Sequence, residues 1–200
     1  MPRLNRSFIY KGFKKLLISR LGKNEAESIW KYADNEYKAV MNIYQSITSD
    51  EKLMILPLYA IYKSLKIHDV EEPLTMLKDY AVDIGRRISK VIHAVTSVPF
   101  VSKLLWMNMP KLMRANSSPE KGYERRILSE SKEFVGVDIL KCPLHELTKK
   151  LGVPELASVV CIIDKGQMTG FKYIDYTRTL ALGDGDDYCD YRLKYDREKK

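Results

Sequence analysis

The chain has 200 residues and a mass of 23.2 kDa, enough to bury a core that needs neither disulfides nor a metal to hold it. It is 45% hydrophobic, 10% aromatic and 30% charged, with ten Gly and eight Pro, which excludes disordered, collagen-like and low-complexity classes. Its formal charge of +8 points first to nucleic acid, an anionic membrane or an acidic ligand, so the location of that charge matters. Residues 1–23 carry seven basic residues, beginning with Arg3, and no acid; residues 24–118 carry twelve against eleven, and residues 119–200 fifteen against fifteen. An excess held at one end is not the spread basic face of a nucleic-acid groove, and no nucleic-acid partner is expected.

The first 116 residues read as helices. Ile9, Phe13, Leu16 and Leu17 make one buried stripe, and Gly22 is placed as a stop. Asn24 with Glu27, Thr48 with Glu51, and Asp69 with Glu72 each have the cap-x-x-Glu form expected at a helix start. The stripes that follow are Ile29, Tyr32, Tyr37, Val40, Ile47; Leu53, Leu56, Ala60, Ile61, Leu65; and Leu74, Leu77, Ala81, Ile84, Ile88, Val91, Ile92. Pro57 is expected to kink the third helix. Between Thr96 and Met113 the chain is apolar, Met-rich and broken by Pro99 and Pro110, which predicts short helices, as a core connection or a lid over a pocket. No window reaches the ~18 consecutive apolar residues of a membrane span, and the start lacks a secretory apolar run.

At Asn116-Ser-Ser-Pro119 the pattern changes, dividing a helical region, 1–116, from an α+β region, 120–196, which together make one compact unit. Tyr123–Ser131 and Phe134–Leu140 form a hairpin pattern; Cys142–Leu151 and Pro154 to about Met168 read as helices; Tyr173–Leu182 and Tyr188–Tyr195 read as strands flanking Gly183–Asp187. The expected class is α+β: a helical amino-terminal half followed by a β-β-α-α-β-β antiparallel sheet with helices packed on it.

Three cysteines, Cys142, Cys161 and Cys189, occur without a CxxC pair, which predicts free thiols in a reducing cytoplasm. Cys142 precedes Pro143 at a helix start, where free N–H groups and the helix dipole favour a thiolate. His145 lies three residues on, and the pair reads as nucleophile and base, or as a filler thiol beside a solvent-facing imidazole. Cys161 and Asp164 share one stripe of the next helix and are placed to line a cleft. Arg178 is the one charge on the apolar face of its predicted strand. It requires a partner, either a structural carboxylate such as Asp164 or a ligand carboxylate. Cys189 shares the inward parity of its strand with Tyr191 and Leu193. Asp184, Asp186, Asp187 and Asp190 lack the spacing of a calcium loop and read as a solvated turn. A Cys/His metal site lacks paired ligand spacing, and no cofactor is expected. His68 and His93 have no companion motif, and the standard nucleotide, lipase and zincin motifs are missing.

The run Cys142-Pro143-Leu144-His145, Leu151-Gly152-Val153-Pro154-Glu155, Cys161-x-x-Asp164, Arg178-x-x-x-Leu182-Gly183 and Cys189-Asp190-Tyr191-Arg192 resembles the L-2-amino-thiazoline-4-carboxylic acid hydrolase family over residues 120–195. The resemblance implies hydrolysis of a non-peptide C–N or C=N bond in a small zwitterionic thiazoline amino acid. It implies Cys142, His145 and Asp164 as catalytic residues, and Arg178, Cys161 and Cys189 around the substrate. A homo-oligomer is compatible with this reading. The capped-Cys pattern also distantly resembles 4-vinyl reductase-like domains, which implies a second class, a non-catalytic small-molecule-binding or sensory module. A third class, a membrane-surface or scaffold protein, rests on the basic amino-terminal helix.

Overall fold

Gly22, at φ +83°, closes α1 (Phe13–Leu21) and leads directly into α2 (Lys23–Ile43) in the computed structural model, which describes residues 4–7, 9–196 and 198. Arg3 lies outside the described residues. Because α2 starts at Lys23, Asn24 falls inside the first turn and its expected cap does not form. The Thr48 cap does form: Thr48 Oγ1 accepts the Glu51 N–H at 3.3 Å, and Glu51 Oε2 accepts the Thr48 N–H at 2.8 Å. This reciprocal box starts α3 (Ser49–Ile67), which continues through Pro57. The Asp69 box is displaced. Both Asp69 and Glu72 take positive φ, and Pro73, with its preset φ, becomes the first residue of α4 (Pro73–Thr96).

The segment after Thr96 is a single helix, α5 (Pro99–Asn116), not the short pieces expected. Ser102, Trp106 and Met109 are buried along one stripe, and Trp106 Nε1 donates to the Lys132 carbonyl at 2.6 Å. That burial carries the helix past Pro110, whose ring removes one backbone donor. Two residues assigned to buried stripes are exposed instead, Leu53 and Val91.

The α+β arrangement is as predicted. Strands β1 (Glu124–Glu130), β2 (Phe134–Lys141), β3 (Ile174–Thr177) and β4 (Cys189–Tyr195) form an antiparallel sheet in the order β1-β2-β4-β3, with α6 (Pro143–Lys150) and α7 (Leu156–Met168) between its halves. Central pairing sets Ile139 opposite Cys189 and Val137 opposite Tyr191. Val135, Val137, Ile139 and Leu193 pack with Trp106, Met109, Met168 and Leu182 in one core cluster. A second cluster joins α1–α4 to Leu147, Leu156, Val159, Val160 and Ile163 of α6 and α7. The α4–α7 crossing depends on two glycines, since a Cβ on Gly166 would come within 2.6 Å of Gly85 Cα.

The predicted strand Tyr173–Leu182 ends early, at Thr177. Asp190 explains the break. Its carboxylate accepts the N–H groups of Thr179 and Leu180 at 2.7 and 2.6 Å and the Thr179 hydroxyl at 2.7 Å. Asp186 accepts the Ala181 N–H at 2.8 Å. These side chains satisfy donors that a strand partner would otherwise take, and the chain turns into a loop. Asp190 and Asp186 are therefore loop-holding groups, not part of a solvated turn.

Candidate active site

The cavity that gathers the predicted site lies between the sheet, α6 and α7, and has a volume of about 360 Å³. Cys142, His145, Cys161, Asp164, Arg178 and Cys189 all line it. The fold delivers each by a different route. β2 ends at Lys141, so Cys142 becomes the cap of α6 and His145 sits in its first turn. Along α7 a spacing of three residues turns Cys161 and Asp164 to one side. The loop after β3 brings Arg178, and β4 contributes Cys189 with Tyr191.

Arg178 is the most constrained of these side chains. Only 5% of it is exposed, and its Nη1 donates to Asp164 Oδ2 at 2.8 Å and to the Tyr191 hydroxyl oxygen at 3.1 Å, while Nη2 donates to the Cys161 carbonyl at 3.0 Å. The Tyr191 hydroxyl in turn donates to Asp164 Oδ2 at 2.7 Å. Of the two partners anticipated for an inward guanidinium, the structure realises the protein carboxylate. Asp164 keeps 36% of its side chain open to the cavity, and both bonds fall on Oδ2. Burial pushes its carboxyl above the usual range, against the pull of Tyr191 and Arg178.

Burial also governs the thiols. It raises Cys142, although the backbone N–H groups of His145 and Leu144 and the Tyr123 hydroxyl favour the thiolate. Burial pushes Cys161 up to about 12 against the attraction of Arg178, and Cys189 up to about 11 against the Leu182 N–H, which donates to its Sγ at 3.3 Å. The His145 imidazole is lowered by desolvation and by Lys149, so it is neutral at neutral pH and able to accept a proton. His145 also lines a second cleft with Cys142, Glu146, Asp186 and Asp187. Among the described residues no group of three or more His, Cys, Asp and Glu is placed to hold a metal ion.

Three further residues gain roles that the sequence reading does not assign them. Tyr191 was placed inward by parity, yet its bridge between Asp164 and Arg178 depends on a pairing that only the folded sheet supplies. Tyr123 precedes β1 and carries no local signal. Gly183 closes the motif that begins at Arg178 and opens the turn-rich loop, and its site is tight, since a Cβ there would meet Cys161 Sγ at 2.9 Å and the Ala157 carbonyl carbon at 3.0 Å.

Among solved structures, the chain is similar to an H-NOX protein from S. oneidensis in the Fe(II)NO ligation state. The identity is 12% and the TM-score 0.39, over 94% of this chain and 98% of that one. It is likewise similar to an Fe(II) unliganded H-NOX protein from K. algicida, at 10% identity and a TM-score of 0.37, over 97% and 98%. No curated protein matches significantly. The model of one family, described as L-2-amino-thiazoline-4-carboxylic acid hydrolase, matches residues 50–193, a span that runs from the first turn of α3 into β4 and holds every residue of the cavity named above. The chain belongs to the L-2-amino-thiazoline-4-carboxylic acid hydrolase family.

Proposed function

We propose that the cavity binds a small zwitterionic cyclic amidine of the thiazoline amino-acid class and hydrolyses its amidine carbon–nitrogen bond through an adduct on Cys142. The observation that carries this reading is the convergence of Cys142, His145, Asp164 and Arg178 on one cavity in a chain of this family. The cavity falls within the size range of small-molecule sites. Arg178 uses its described bonds on protein acceptors, and its five donors retain capacity for a substrate carboxylate. Asp164 Oδ1 is the natural acceptor for an amidine N–H.

In the resting cavity Cys142 is a thiol, because desolvation outweighs its N–H and hydroxyl donors. A protonated amidine brings positive charge to its side and favours the thiolate only when substrate is bound. Attack forms an S–C bond, and the thiol proton passes to neutral His145. One nitrogen then leaves as an amine, protonated by His145, and a C=N bond is restored. Water adds to that carbon and releases Cys142 as a thiol, leaving a carbonyl. The net change is amidine plus water to carbonyl plus amine.

A specific observation also favours the binding-module reading: burial holds all three thiols in the protonated form. Titrating a thiazoline amino acid against thermal stability while assaying released product separates the two. Stabilisation with product supports the hydrolase, and stabilisation without product supports the module.

A further inference from the structure

Between Asp83 and Glu120 the sequence contains no acidic residue, whereas it contains Arg86, Arg87, Lys90, Lys103, Lys111 and Arg114. This run forms the second half of α4 and all of α5, which meet at a bend of 109°. At that corner the apolar side chains face solvent. Val98 is 51% exposed, Phe100 74% and Met107 69%, with Val91, Val95 and Leu104 also exposed. Phe100, Leu104 and Met107 follow i, i+4, i+7 spacing, so they form one outward stripe on α5; Val91 and Val95 lie one turn apart on the last part of α4, and Val98 is the extended residue that leads into α5. A soluble surface rarely carries such a cluster without a use for it.

The surroundings of the corner share one chemistry. Pro99, Phe100 and Lys103 border a shallow cleft with Tyr173 and Tyr195. The Lys172 N–H donates to Thr96 Oγ1 at 3.1 Å, which ties the loop before β3 to the end of α4 and sets the Lys172 ammonium over the Tyr173 ring at 5.7 Å. On the other side of Val91, a groove between α1 and α4 has an apolar floor of Leu16, Ile84, Ile88 and Ile92 with Lys15 and Arg87 at its edge. Hydrophobic side chains ringed by cations and tyrosines are the composition of a surface that lies in the headgroup region of a bilayer. No single helix among the described residues is long and apolar enough to cross a membrane, and α4, the first half of the bent pair that would be long enough together, buries Met76, Leu77, Tyr80 and Ala81 in the protein core, so the contact proposed is peripheral.

We propose that the α4–α5 corner docks the protein on an anionic lipid bilayer, with Val98 and Phe100 entering the acyl boundary and Lys90, Lys103 and Lys172 meeting lipid phosphates. Charge selects this occupant over a second copy of the chain. Two such corners placed face to face would set Lys90, Lys103 and Lys172 against their counterparts, whereas an anionic leaflet attracts each of these cations near its surface.

The test is cosedimentation of the full chain with phosphatidylcholine vesicles that contain or lack phosphatidylglycerol, at low and high salt, with light scattering of the free protein. Binding should require phosphatidylglycerol and weaken with salt. The variants V98S/F100S and K90E/K103E should each reduce it by about tenfold or more, with an unchanged thermal midpoint because the positions are exposed. Absence of binding to the anionic vesicles at low salt, or equal binding by both variants, overturns the proposal. A concentration-dependent dimer abolished by V98S/F100S, with no vesicle binding, overturns it in favour of self-association.

Discussion

Replacing Arg178 by Met keeps most of the apolar stem volume but removes the guanidinium that joins Asp164, Tyr191 and the Cys161 carbonyl. Deleting one partner of a fully buried ion pair costs about 3–5 kcal/mol, because the other charge is left uncompensated. Here the remaining carboxylate has 36% of its surface open to the cavity, and water there screens part of the loss, so about 2–3 kcal/mol is expected. Asp164→Asn should cost about 1–3 kcal/mol, since a buried guanidinium then loses its carboxylate. The double variant should be less destabilised than the sum, by about 1–2 kcal/mol. Urea unfolding at neutral pH, with unchanged denaturant slope, measures all three. Additivity within about 0.5 kcal/mol would refute the claim that the two side chains act as one unit. The pH dependence has a defined sign. Asp164 has its folded carboxyl raised above the ordinary value of about 3.9, so the folded state holds more protons and stability falls as pH rises from that value towards the folded one. In Arg178→Met the carboxyl rises further, and the decline must extend to higher pH.

Three other outcomes follow from local geometry. Thr48→Ala removes one half of the capping box at the start of α3 and should cost about 1 kcal/mol in thermal or urea unfolding. Gly166→Ala places a methyl against the Gly85 backbone at 2.6 Å, with no flexible side chain to yield, and should cost about 2 kcal/mol or more, whereas Gly152→Ala meets nothing and should cost less through its positive φ alone. Alkylation by iodoacetamide should be slow at neutral pH for all three thiols, because Cys142 is raised and Cys161 and Cys189 lie at about 12 and about 11. Since the thiolate fraction grows about tenfold per pH unit below the pKa, the rate should still be rising beyond about pH 9. A plateau near neutral pH at any thiol would contradict the role given to burial.

Local patterns carried much of the fold. The stripes of α1 to α4, the Thr48 box, the hairpin of β1 and β2 and the two helices between sheet halves all rest on short-range spacing, which is visible in a sequence. The departures arise where distant groups decide. Pro73 displaced the Asp69 box, and Trp106 reaching Lys132 kept α5 whole across Pro110. Asp190 ended β3 by binding backbone that belongs to a segment ten residues earlier. At the site, Cys142, Cys161, Asp164 and Arg178 stood out through a cap, a helix stripe and an inward charge. Tyr123 and Tyr191 gained their roles only from chain crossings, and the state of the thiols depended on burial that spacing does not encode.

The proposed hydrolysis requires Cys142 Sγ to bond to the substrate carbon. Purified Cys142→Ala should keep its far-ultraviolet dichroism and a thermal midpoint close to that of the parent, bind a thiazoline amino acid, and release no carbonyl product when both proteins are assayed side by side. Product formation by Cys142→Ala at the parental rate would contradict it.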